Sequence, residues 1–104
     1  STTQMLVGSL SWMAHGQKAH EYYRLEKFPE AIQEFDVVLA ASPNDVISLL
    51  MRGQSLVKLG KYEAAVKDFD EGVRYSTDQK MKYMFFLERG LALPYLEKDT
   101  EAQK

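Results

Sequence analysis

Arg52–Tyr75, RGQSLVKLGKYEAAVKDFDEGVRY, decides the fold. Gly53, Leu56 and Leu59 share one side of a first helical stretch, and Tyr62, Ala65, Val66, Phe69 and Val73 share one side of a second. Between them stands Gly60, a residue type that tolerates the left-handed stop of a helix. The stretch therefore reads as two helices with a tight break. It also recurs. A shift back by 34 residues pairs Gly53 with Ala19, Leu56 with Tyr22, Leu59 with Leu25 and Lys61 with Lys27. The same shift pairs Tyr62 with Phe28, Ala65 with Ala31, Phe69 with Phe35 and Asp70 with Asp36. A period of this length built from helix–turn–helix units is the signature of a helical repeat.

Downstream the echo continues in a changed register. Arg52-Gly53 returns as Arg89-Gly90, and Leu56, Leu59, Lys61 and Ala65 map to Leu93, Leu96, Lys98 and Ala102. That offset is 37, so three residues have been added at the turn or at the start of the fifth helix. These repeats divide the 104 residues into an N-terminal segment 1–9, repeat one at 10–44, repeat two at 45–78 and a partial repeat three at 79–104.

Five helices are predicted. Residues 1–8 carry little periodicity and read as loose, and Ser9 is a candidate N-cap for a first helix over 10–25. Pro29 suits the first turn of the second helix, which Pro43 stops. Asn44 or Asp45 caps the third, over 46–59, and the fourth spans 62–75. Glu63–Lys67 and Asp70–Arg74 are acid-first i,i+4 pairs on its solvated face. Ser76…Gln79 has capping-box spacing ahead of the apolar fifth helix, 79–97, in which Pro94 predicts a kink or an end near Leu93. A sixth helix, beginning at about Asp99, would reach only a turn or so by Lys104.

The small residue, the large one after it, the aromatic-x-x-Ala pair and the late Phe closely resemble the tetratricopeptide repeat family over nearly the whole chain. The resemblance implies an all-α protein of antiparallel helix–turn–helix repeats forming a short right-handed α-solenoid, working as a protein–protein interaction module or scaffold. Ala19, Gly53, Gly90, Ala31 and Ala65 are candidates for the crossings at which paired helices approach closely, with Tyr22, Phe35, Leu56 and Phe69 filling the gaps.

Composition narrows the function further. A net charge of −2, with acids and bases mixed, supplies neither a basic face for nucleic acid nor a polybasic membrane patch. No apolar run reaches membrane-spanning length, and no basic segment precedes Met5-Leu6-Val7 as in a signal peptide, so a cytoplasmic protein is expected. The absence of cysteine excludes disulfide and thiol chemistry.

No catalytic constellation is visible. His15 and His20 are five apart, about 140° around a helix, and cannot share a metal on one face. Gly53…Gly60-Lys61-Tyr62 has the wrong spacing for a phosphate loop and lacks the hydroxyl after Lys. Glu30, Glu34, Asp68 and Glu71 fall on predicted outer helical faces. The expectation is a protein that is not an enzyme and takes neither cofactor nor metal.

In the family it resembles, first helices line a concave groove that receives a peptide or partner helix. Carried over, the groove would be lined by Met13, His20, Tyr23 and Arg24, then Ile47, Leu50, Gln54, Val57 and Lys58, then Met84, Leu87, Leu91 and Tyr95. Some members clamp chaperone carboxylates with Lys, Asn and Arg. Gly16, His20, Met51, Leu87 and Leu91 stand at those positions here, so the clamp is absent and an apolar partner segment is expected. Ile47, Leu50, Val57 and Leu91 could instead be core, or be covered by residues 1–8. The alternative role is self-association of a piece of a longer array. Phe86, Leu93 and Leu96 face an absent second helix and would be buried in a homodimer through helix five.

Overall fold

The computed structural model describes residues 2–102, with side chains from Ser11 to Ala102. Five helices follow one another: α1 (Thr2–Arg24), α2 (Phe28–Ala41), α3 (Val46–Lys58), α4 (Tyr62–Tyr75) and α5 (Gln79–Ala102). Helices α1 and α2 form one antiparallel hairpin and α3 and α4 a second; α5 packs on α4. The all-α repeat architecture expected from the sequence is present.

Two matching turns shape the hairpins. At the end of α3 the N–H of Lys61 donates to the Leu56 carbonyl at 2.8 Å, and that of Gly60 to the Val57 carbonyl at 2.9 Å. Gly60 sits at φ +74°. This is the paired closure of a Schellman motif. At the end of α1, Lys27 donates to Tyr22 at 2.8 Å and Glu26 to Tyr23 at 3.0 Å, and here the left-handed residue is Glu26, at φ +59°. Nothing in the residue type announces Glu26, whose side chain is disfavoured in that conformation. The recovered hydrogen bonds and the packing of the hairpin hold it there.

The main core joins Leu39, Leu49, Leu50, Leu56, Ala65, Val66, Phe69, Phe85 and Ala92 from α2 to α5. A second cluster of Ala19, Ala31 and Phe35 closes the first hairpin. Small residues sit where helices cross. A methyl group added at Gly53 would lie 2.9 Å from Cδ1 of Phe69. One added at Gly72 would enter the Phe85 ring. Ala19, Ala31 and Ala65 are fully buried.

Several local expectations give way to tertiary structure. Helix α1 begins at Thr2 and runs through Ser9, which therefore is not its cap; no proline interrupts this stretch. The side chains of residues 1–8, invoked as a cover for the groove, lie outside the described residues. Ser76 does not open a capping box: its hydroxyl donates to the Gly72 carbonyl at 2.6 Å, closing α4. Asp78 caps α5 instead, accepting from the Lys80 N–H at 3.2 Å. Pro94 neither ends α5 nor leads to a sixth helix at Asp99. The bond it removes would go to Gly90, which is exposed, so water can serve that carbonyl.

Candidate functional site

The first helices of the repeats, α1, α3 and α5, lie side by side, α3 touching both neighbours. A hydrogen-bonded chain runs across them. The Tyr23 hydroxyl donates to Gln54 Oε1 at 2.8 Å, and Gln54 Nε2 donates to Glu88 Oε1 at 3.2 Å. Burial, and then the Glu88 charge, push the Tyr23 phenol above its ordinary value, so it stays a neutral donor at physiological pH. Glu88 carries no marker in the sequence; its role follows from packing three helices in one row.

Two open depressions of about 370 Å³ each lie on these helices, and this chain forms part of the wall of the second. The upper one is lined by Trp12, Met13, Gly16, His20, Val38 and Ile47, among others, and is mostly apolar. Met13 and Ile47 are about half exposed there. The ring of His20 stands edge-on to Phe35 at 6.0 Å. The lower depression is lined by Tyr23, Gln54, Val57, Lys58, Glu88, Leu91, Ala92 and Tyr95. Tyr95 is stacked on Tyr62 at 5.2 Å, which steadies one wall.

Nine of the residues expected in the groove thus fall into two sets: Met13, His20 and Ile47 above, and Tyr23, Gln54, Val57, Lys58, Leu91 and Tyr95 below. Leu50 does not belong. It is buried in the main core, because α3 packs against α2 as well as its own partner α4 and touches α1 and α5 on the remaining side. Arg24 is exposed at the end of α1, paired with Glu21 at 2.5 Å and outside both depressions. Met84 and Leu87 are exposed on α5 without lining either.

The residues assigned to self-association also separate. Leu93 and Leu96 are half-buried against the main core, and Leu96 and Tyr62 both line a shallow depression. Phe86 is 56% exposed. The register shift explains this: Phe85, not Phe86, turns toward α4 and fills the space above Gly72.

Two carboxylates expected on the outer face are structural partners. Asp68 is buried and holds Arg52 through both oxygens at 2.8 Å, while Asp36 takes the other side of the same guanidinium at 2.8 Å. The hydrogen bond to Asp68, above all, raises the Arg52 pKa and keeps the guanidinium charged. Glu34 pairs with His15. Asp70, expected to pair with Arg74, instead binds Arg89 of α5 at 2.7 Å. A three-residue step from Ala65 places Asp68 on the inward side of α4, which is the signal that could have found it. Among the described residues no group of three or more His, Cys, Asp or Glu is arranged to hold a metal ion. No helix among them is long and apolar enough to cross a membrane.

A family model described as tetratricopeptide repeat matches residues 17–79 and, in an overlapping second placement, residues 50–93.

Proposed function

Because the chain belongs to the tetratricopeptide repeat family, whose members generally mediate protein–protein interaction, we propose that its concave face binds an apolar segment of a protein partner. The carrying observation is the pair of depressions on the row α1, α3 and α5, with exposed Met13 and Ile47 in one and Leu91 and Tyr95 in the other. Thioether and aliphatic side chains at an open surface suit a ligand held by shape and apolar contact. The Tyr23–Gln54–Glu88 chain in the wall of the lower depression offers a polar rung that fixes the ligand's position along the row. Met84 and Leu87 extend the apolar surface along α5.

Peptides selected on the intact protein from a random display library test the reading. Ile47→Asp and Leu91→Asp are expected to weaken the selected peptides at least about tenfold, since each puts a charge against an apolar contact. Glu63→Ala, on the outer face, should leave them unchanged. Binding that collapses as salt rises would place the ligand on charged groups and end this reading.

A further inference from the structure

The polar chain across the concave face has a direction, and its α5 end sets that direction. An ionised carboxylate only accepts hydrogen bonds, so Glu88 requires the amide nitrogen of Gln54 and receives it at 3.2 Å. The Gln54 oxygen is thereby turned to Tyr23, whose single hydroxyl proton it accepts at 2.8 Å. Burial, and then the Glu88 charge, keep that proton on the phenol. Donors are spent from α1 toward α5, and the chain ends on an acceptor. Among the described residues Glu88 meets no second donor and no cation at ion-pairing distance.

The walls of the lower depression do not supply one. Leu91, Ala92 and Tyr95 follow Glu88 along α5 at steps of three, four and seven residues, which places them on the same face. Val57 of α3 adds to this apolar wall. Lys58 lines the same depression, is exposed, and is not paired with Glu88. While the depression is open, solvent hydrates the half-buried carboxylate. A purely apolar ligand lying on Leu91 and Tyr95 would strip that hydration and leave a charge uncompensated, which is costly. A ligand that brings its own cation avoids the cost and gains a charge-assisted hydrogen bond.

Resting on the reading that the concave face receives a protein segment, we infer that Glu88 is its specificity-determining residue. The segment carries a lysine or arginine whose charged end pairs with Glu88, beside apolar side chains that cover Leu91 and Tyr95. Tyr95 lies seven residues along α5 from Glu88, about 10 Å. For a ligand running along α5, the cation and its last apolar contact are about two turns apart in a helix. In an extended strand they are about three residues apart. The partner is therefore basic and apolar together, and an acidic segment is repelled.

The probes are peptides from the random display library, selected in parallel on the intact protein and on its Glu88→Gln variant. Glutamine keeps an oxygen for the Gln54 amide and removes only the charge, so the melting temperature should match wild type. Wild-type selections are expected to share a Lys or Arg beside apolar positions. Selections on Glu88→Gln should lose the basic position and keep the apolar ones. Replacing the basic residue of a wild-type peptide by norleucine should weaken binding about tenfold to wild type and almost not at all to Glu88→Gln. That coupling identifies the pair. Lys58→Ala, which removes a like charge from the same depression, should tighten binding about twofold. Peptides weakened by Ile47→Asp or Leu91→Asp that carry no basic position overturn the inference and leave the concave-face reading intact. So does a selected acid whose contribution is lost with Lys58→Ala. Peptides indifferent to both Asp substitutions, or none selected, end that reading and this inference with it. A dimer in sedimentation that Glu88→Gln dissociates also overturns the inference, because the cation then comes from a second copy.

Discussion

Helices α3 and α5 carry the same short text, Arg-Gly followed three residues later by Leu, and use it in opposite ways. In α3 the glycine is a crossing: Phe69 lies over Gly53, and Arg52 is held between Asp36 and Asp68. In α5 the glycine faces open space, and among the described residues the arginine pairs only with the acid from the preceding repeat. The difference lies in what is packed against each helix, not in the residues themselves. A repeat unit's residues are half of an interface, and their energy depends on whether the neighbour is present.

The widest separation between the two helices is expected at the aromatic residues. Phe69→Ala, which empties the crossing over Gly53, should lower stability by about 3–5 kcal/mol, read from chemical denaturation. Phe86→Ala on the open face of α5 should change it by less than about 0.5 kcal/mol. Similar losses at both would mean that Phe86 is packed in solution, and the contrast would fail.

The glycines should answer with opposite signs. Gly53→Ala places a methyl against the Phe69 ring and is expected to cost about 1–3 kcal/mol by overpacking. Gly90→Ala has no such neighbour and should stabilise by about 0.5–1 kcal/mol, because alanine is the better helix former. Melting temperatures of the two variants, measured side by side, decide it.

The acids partnering the two arginines come next. Asp68→Ala leaves a partly buried guanidinium with a single exposed partner and should cost about 1–3 kcal/mol. Asp70→Ala breaks an exposed pair and should cost less than about 1 kcal/mol, shrinking further as salt rises. An equal, salt-insensitive loss in both would show that Arg89 is as enclosed as Arg52.

The smallest effect concerns the turns. Glu26→Gly should stabilise the first hairpin by about 1 kcal/mol, since glycine adopts the left-handed conformation without a side-chain penalty. No gain in melting temperature would show that the Glu26 side chain earns its place by a contact of its own.

Much of this was legible in advance because helical packing repeats its spacing. The offset of 34 located both hairpins, and the identities of Gly53, Ala65 and Phe69 placed their crossing. For the same reason Met13, Ile47, Leu91 and Tyr95, expected on one row of helices, do line the open depressions there. Leu50 failed because a helix flanked on two sides buries more than one stripe. Asp68 failed because charged residues are normally outside, and only a paired guanidinium makes burial tolerable.

From residue order alone came the helical class, the repeat length, the stop at Gly60 and the small-to-large pairing within each hairpin. These are local or periodic properties, set by backbone preference and by which side chains share a helical face. Tertiary structure decided the rest: Phe85 rather than Phe86 fills the space over Gly72, Asp70 binds Arg89 rather than Arg74, Glu26 takes a conformation suited to glycine, and Pro94 lies within a continuous helix. Each of these outcomes depends on a partner distant in sequence or on exposure to water. No window of the chain contains that information, because burial and pairing are properties of the packed assembly of helices.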